Sequence, residues 1–285
     1  MNIAITRQKI QDWITQQWVI LLGQKVDLQK EKWIFGPFGE LNGIGLKFVR
    51  QLAEKEQLTI ENQENSQGLL RSIHQLGLSE TEERKLSPSV VDFYQNTADY
   101  KLKLTVKWNP FFKAAGLLIR VFFSQRLEQL NIPIWTNEIA EDITNEIIYL
   151  RDLNTKEVKR IIWFRSFKRS GQVVYLGVYE TCTLPSGTTC IKAIFPLPNG
   201  NATVILSPRV GEHGELILDS SGNRYGDSGF YFLLKDSNGQ VWAKYLSSFK
   251  DQLVVKSGGD KVTAIQTLTL WNIKVLTFEY LIKKR

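Results

Sequence analysis

Val173-Val174-Tyr175-Leu176-Gly177-Val178-Tyr179-Glu180-Thr181-Cys182, then Pro185-Ser186-Gly187, then Cys190-Ile191-Lys192-Ala193-Ile194-Phe195 follow one another in the second half of this 285-residue chain. Both runs are rich in β-branched and aromatic residues, which suit a pleated surface better than a helix. The Pro-Ser-Gly segment between them is turn chemistry. A connection that short joins antiparallel neighbours, because parallel strands need a crossover of a dozen residues or more. This stretch therefore reads as a hairpin centred on Ser186, with Cys182 and Cys190 facing each other.

The same alternation of strand and turn extends both ways. From Thr144 onward the candidate strands are Glu146–Arg151, Arg160–Phe167, Val173–Cys182, Cys190–Phe195, Ala202–Ser207, Glu215–Asp219, Gly229–Lys235, Val241–Ser247, Gln252–Lys256, Val262–Leu270 and Lys274–Ile282. Turn signals such as Pro198-Asn199-Gly200-Asn201, Ser221-Gly222-Asn223, Asp236-Ser237-Asn238-Gly239 and Ser257-Gly258-Gly259-Asp260 separate them. A series of short strands at this spacing, with no helical segment between them, is the pattern of an antiparallel meander that curls or closes.

Upstream, Leu102, Leu104, Val106 and Trp108 alternate with Lys101, Lys103, Thr105 and Lys107, so Tyr100–Trp108 reads as one more strand with a wet face. The first hundred residues read as helices. Ile10, Trp13, Ile14, Trp18 and Leu21 recur at helical steps and define an apolar face. A second helix carries Ile44, Phe48, Val49, Leu52 and Ala53. A third carries Leu69, Leu70, Ile73 and Leu76 and stops at Gly77. Ser87-Pro88 opens a fourth. Asn109-Pro110 opens a helix to about residue 130, apolar nearly all round, which is expected to pack against the sheet. The polar stretch 59–67 reads as an exposed loop.

The expected fold class is thus α+β, with N-terminal helices (1–99) followed by a large antiparallel, barrel-like (lipocalin-like) curved sheet (100–285) that includes the buried helix at about 110–130. Hydrophobic residues make up 43% and charged residues 23% of the chain, enough for a packed core. The net charge is +7. Acidic and basic residues nearly cancel over 1–150, so the basic excess lies in 151–285. That leaves room for an anionic partner, nucleic acid or a phospholipid surface among them. The start of the chain does not read as a signal peptide. The most apolar stretch, Phe111–Phe123, is broken by Lys113 and Arg120 and is too short for the ~20 residues a membrane span needs. A cytoplasmic location with reduced thiols is the expectation. With two cysteines and two histidines scattered and no cofactor motif, neither a metal nor a cofactor is expected.

No motif carries a reaction on its own. Gly36-Pro37-Phe38-Gly39…Gly43-Ile44-Gly45 matches neither a dinucleotide fingerprint nor a Walker A loop and reads as a tight turn. Arg160–Arg169 interleaves cations with aromatics, as single-strand binders do, or as a strand does with one polar face. Glu138, Glu141, Asp142 and Glu146 share a face if that segment is helical. Lys192, Glu180, Arg165 and Glu279 stand in otherwise apolar strands and become site candidates if they point inward. Gly222-Asn223-Arg224-Tyr225-Gly226-Asp227-Ser228-Gly229 is a polar loop before an apolar strand.

Phe195-Pro196-Leu197-Pro198-Asn199-Gly200-Asn201-Ala202, Gly226-Asp227-Ser228-Gly229-Phe230-Tyr231-Phe232, Arg126-Leu127-Glu128-Gln129-Leu130-Asn131 and Leu268-Thr269-Leu270-Trp271 resemble segments of an uncharacterised bacterial family of conserved hypothetical proteins. The resemblance spans about residues 86–282 and implies a bacterial origin, with no activity attached.

The leading functional expectation is a protein that holds an apolar or amphipathic, possibly anionic, small molecule in the curved sheet. The ligand-binding candidates are Trp163, Arg165, Tyr175, Tyr179, Phe230 and Tyr231. An enzyme with a rim site of hydrolase or isomerase type built from Arg224, Tyr225 and Asp227 is one alternative. A basic nucleic-acid or membrane-surface module is another.

Overall fold

A computed structural model describes residues 3–6, 8–27, 29–40, 45–61, 67–113, 141–259 and 261–285. Among them are the strands β1 (Gln24–Lys25), β2 (Leu58–Glu61), β3 (Tyr100–Trp108), β4 (Glu141–Ile143), β5 (Glu146–Asp152), β6 (Val158–Ser166), β7 (Val173–Thr183) and β8 (Thr189–Leu197). They continue with β9 (Gly200–Val210), β10 (Leu216–Asp219), β11 (Gly229–Lys235), β12 (Val241–Tyr245), β13 (Phe249–Ser257), β14 (Val262–Leu270) and β15 (Ile273–Lys284). The helices are α1 (Ile10–Leu22), α2 (Leu46–Glu56), α3 (Glu80–Lys85) and α4 (Pro88–Gln95).

These strands form one antiparallel sheet in the order β2-β5-β6-β7-β8-β9-β10-β13-β14-β15-β3-β4. The hairpin expected at Ser186 is present, with Cys182 opposite Cys190. Sequential pairing holds from β5 to β10 and from β13 through β15, but fails in between. The long strand β9 pairs β11 over Gly200–Ile205 and β10 over Ser207–Val210. The sheet therefore forks at β9, and a side branch of β11, β12 and β1 leaves the main path.

The sheet curls strongly. Arg165 on β6 and Tyr280 on β15 stand many strands apart in the ladder, yet their side chains meet at 3.5 Å. The rings of Tyr175 on β7 and Phe278 on β15 are 6.0 Å apart. The curl falls short of the expected barrel, because the sheet is not closed: the ladder ends at β2 and β4. An isolated bridge between Ile143 and Phe167 joins β4 to the end of β6.

Both faces of the curled sheet are covered, which explains strands that are apolar on both sides. Inward residues of β3, β5–β10 and β13–β15 pack with Leu69, Leu70, Phe93 and Tyr94 into the main core. The outward set Ile148, Leu150, Ile162, Phe164, Leu176 and Val178 packs under Phe48, Val49, Leu52 and Ala53 of α2. Of the expected second helix, Ile44 lies outside the described residues.

Several expectations are corrected. The apolar face of α1 is split: Trp13 packs toward Leu234 and Trp242 and Trp18 meets the Phe232 ring edge-on, while the rest of the face is in solvent. Ile10, Ile14 and Leu21 are 71%, 57% and 72% exposed. The buried side carries Val19 and Ile20 against Leu234 and Trp242, together with Asp12 and Gln16. Polar residues are tolerated there because Gln16 is bonded: its amide donates to the Pro198 carbonyl at 2.9 Å and to Gln8 at 2.8 Å.

The third expected helix shrinks to one 3₁₀ turn, Ile73–Leu76, closed by Gly77 at φ 64°. Tertiary bonds replace helical ones ahead of it. Gly68 N donates to the Tyr149 hydroxyl, and Leu70 N to the Tyr94 carbonyl. A Cβ at Gly68 would sit 2.3 Å from the Gln95 backbone, so only glycine allows this close passage. Glu141, Asp142 and Glu146 lie on strands β4 and β5 rather than a helix, and Glu138 lies outside the described residues. The helix expected at about 110–130 is described only at 110–113. The rest of that span lies outside the described residues, as do residues 62–66 of the expected loop, whereas Leu58–Glu61 form β2.

Candidate functional site

Strand parity sorts β6 into two sets. Ile162 and Phe164 face outward under α2, while Ile161, Trp163 and Arg165 face inward. The inward set lines a cavity of about 330 Å³. Its other walls come from β7–β10, β13–β15 and the 69–75 segment, with Leu69 and Tyr94 covering it from the helical side. Trp163, Arg165, Tyr175 and Tyr179 are thus brought together in one place. At one end, where Arg71, Gln75 and Lys159 line the wall, those side chains are exposed. At the other, Arg165 and Asp251 are buried.

Arg165 is held between two rings. Its guanidinium carbon is 3.9 Å from the centre of Trp163 and 4.6 Å from that of Tyr175. Trp163 is fixed in turn, its indole N–H donating to Asn145 Oδ1 at 2.6 Å. Arg165 Nη1 reaches the Tyr280 hydroxyl at 3.5 Å, the long limit of a hydrogen bond. Arg165 Nε is buried and has no hydrogen-bond partner among the described residues.

A polar chain continues from there. The Tyr280 hydroxyl is 3.5 Å from Gln266 Oε1, and Gln266 Nε2 donates to Asp251 Oδ2 at 2.7 Å. Asp251 Oδ1 has no partner among the described residues. Burial pushes the Asp251 carboxyl up to about 7, against a smaller lowering by the Gln266 bond. Burial likewise pushes the Tyr280 phenol up to about 12 and those of Tyr175 and Tyr179 upward. The phenols stay neutral near pH 7, so none supplies a counter-charge to Arg165. The arrangement offers a guanidinium donor and a carboxyl acceptor inside an otherwise apolar hollow, a combination suited to gripping a polar group on an apolar body.

Phe230 and Tyr231 are not among the cavity-lining residues. Phe230 stacks with Phe249 at 4.9 Å. Tyr231 belongs to an outward cluster with Ile34 and Val241, and its hydroxyl donates to the Asp227 carbonyl. Arg224, Tyr225 and Asp227 lie on that outer side too. Asp227 Oδ2 accepts the Asn223 and Arg224 amides at 3.0 and 3.2 Å, the Tyr225 hydroxyl donates to Glu31 at 2.6 Å, and Arg224 is largely exposed. These bonds build a turn.

The other charged strand residues divide. Lys192 is buried outside the cavity, bonded to Glu180 at 2.8 Å and to the carbonyls of Trp33 and Phe35. Arg160 pairs with Glu56 and Glu180, both at 2.9 Å. Glu279 pairs with Lys107 at the surface. With Arg160 engaged and Arg165 buried, the cation–aromatic run at 160–169 is not laid out as a stacking platform for bases. Among the described residues no group of three or more His, Cys, Asp or Glu is placed to hold a metal ion.

Asp251, Gln266 and Tyr280 escaped the sequence reading. The signal was there: Asp251 shares inward parity with Leu253 and Val255, Gln266 with Val262 and Ala264, and Tyr280 with Phe278 and Ile282. Each is a polar interruption in an inward-facing series.

The chain is similar to the uncharacterized membrane protein YndJ of Bacillus subtilis (strain 168), 25% identical over 236 residues, which cover 81% of this chain and 41% of that protein. The chain thus spans less than half the length of that relative. The match agrees with the resemblance to uncharacterised bacterial proteins and reaches beyond residues 86–282. No family model matches, and no solved structure matches. The relative's name overturns the cytoplasmic expectation, although no helix among the described residues is long and apolar enough to cross a membrane.

Proposed function

We propose that this chain binds an amphipathic small molecule in the hollow of its curved sheet. One observation carries the reading: Arg165, a buried cation, faces an apolar cavity of about 330 Å³ with one N–H unpartnered among the described residues. An isolated buried charge is costly and is normally paired or bonded. An occupant whose polar group meets Arg165 supplies what the described residues do not. The volume lies in the range of small-molecule sites. Native mass spectrometry of gently purified protein tests this. A discrete organic adduct, lost on denaturation, is the expected result. A protein that carries no adduct and takes up none from a lipid extract sinks the proposal.

A second reading is favoured by α1. Ile10, Ile14, Leu21 and Leu22 put a group of large apolar side chains in solvent, a feature that marks a contact surface for a membrane or a protein. The relative's name points the same way. Co-sedimentation with anionic vesicles, lost in Ile14→Glu with Leu21→Glu, is the expected outcome. Binding that ignores those substitutions speaks against it.

A further inference from the structure

The cavity has a direction. Lys159, Ile161, Trp163 and Arg165 line it in sequence along β6, and the six steps from Lys159 to Arg165 span roughly 20 Å of strand. At the Lys159 end the wall includes exposed Arg71 and Lys159. The carboxylates there are matched: Lys159 holds Glu157 at 2.8 Å, and Glu180 is held by Arg160 and Lys192. Arg71, which donates to the Val158 carbonyl, makes no ion pair among the described residues and leaves the mouth positive. Between mouth and far end the walls are Ile161, Ile191, Leu206, Val255 and other apolar side chains. At the far end are the guanidinium of Arg165 and the buried carboxyl of Asp251, which burial pushes up to about 7, so that below that pH it carries its proton and Arg165 is the charged group there.

We infer, building on the small-molecule reading above, that the occupant is a carboxylate amphiphile seated head inward, its carboxylate on Arg165 and its apolar body running back along β6 to the mouth. A planar guanidinium with a free Nε–H matches a carboxylate in geometry. One cation balances one negative charge, whereas a phosphate dianion would leave an excess buried charge. A cationic occupant would face Arg165 directly and is disfavoured. The basic mouth draws anions in, and an apolar body replaces water along the hollow, a gain that grows with each methylene buried.

Isothermal titration calorimetry of the full chain with decanoate, decanol and decylamine tests the inference. Decanoate binds, decanol binds about ten- to a hundredfold more weakly for want of a charge-assisted bond, and decylamine gives no measurable heat. Arg165→Met, checked for folding by circular dichroism, brings decanoate down to the level of decanol. A fluorophore on the methyl end of decanoate leaves binding intact, and the same fluorophore joined through the carboxyl group abolishes it. Equal affinity for decanoate and decanol overturns the head-group inference while leaving the cavity reading standing. Failure of all three probes overturns the cavity reading itself. Should Arg165→Met not fold, the ranking of probes on the unaltered protein still decides.

Discussion

Arg165 stacks on Trp163, its guanidinium carbon 3.9 Å from the ring centre, while the opposite strand β7 sets Tyr175 against the same group. Stacking of this kind recovers part of what burial takes from a charge, but the Nε–H is still short of an acceptor among the described residues. Replacing the side chain with methionine keeps the bulk and removes the buried charge. The unliganded protein is expected to gain about 1–3 kcal/mol of stability in urea unfolding, even as binding falls. A loss of stability of similar size would show that the two rings compensate the charge fully.

Asp251 gives the protein a pH-dependent stability. Burial sets its carboxyl at about 7 in the folded state, against ~3.9 in an unfolded chain. The folded state holds the proton more tightly, so this group's contribution is complete below pH ~4 and is lost as pH rises through about 7. The loss across that window is on the order of a few kcal/mol. Asp251→Asn flattens that part of the profile. Denaturant midpoints measured across this window, equal in slope for both proteins, would refute the assignment.

The two sides of α1 are expected to answer differently to truncation. Ile10 is 71% exposed and Ile20 4%. Ile20→Ala removes packing against the side branch of the sheet and costs about 2–4 kcal/mol. Ile10→Ala changes unfolding free energy by less than ~0.5 kcal/mol. Matched urea titrations of the two variants check the helix orientation, and a reversal of the order would contradict it.

Cys182 and Cys190 face each other across the β7–β8 hairpin, both buried and both free thiols. Burial pushes the Cys182 thiol up to about 12 and raises that of Cys190. Thiolate, the reactive form, is therefore scarce at both. A thiol-specific disulfide reagent should leave the native protein untouched at pH ~8 and titrate both groups once urea unfolds it. Rapid labelling of the native state would show that the hairpin opens.

Strand positions were legible because alternation and turn residues act locally. Val262–Leu270 came out with the bounds it has in the fold, and the turn at Pro185-Ser186-Gly187 fixed the facing cysteines. The fork at β9 was not legible. Nothing in Gly200–Val210 says that its two halves bond different strands, since that depends on where residues 220–228 carry the chain. The orientation of α1 was not legible for the same reason: its periodicity is real, but the contact with Leu234 and Trp242 buries Val19 and Ile20 and leaves Ile10, Ile14 and Leu21 outside. At the site, that Trp163 and Arg165 share one face followed from parity, whereas which face turns inward, and their meeting with Tyr280, required the register and curvature, which no local signal encodes.

The bridge between Ile143 and Phe167 has a mechanical consequence. Every other junction along the ladder from β5 to β3 is a run of several bonded pairs, while this one is fastened by a short clasp of bonds, Thr144 N to the Ser166 carbonyl at 2.7 Å and Lys168 N to the Asp142 carbonyl at 3.0 Å among them. Along that ladder, force or thermal agitation is expected to part this seam before the long strands unravel, loosening one rim while the rest of the weave stays intact.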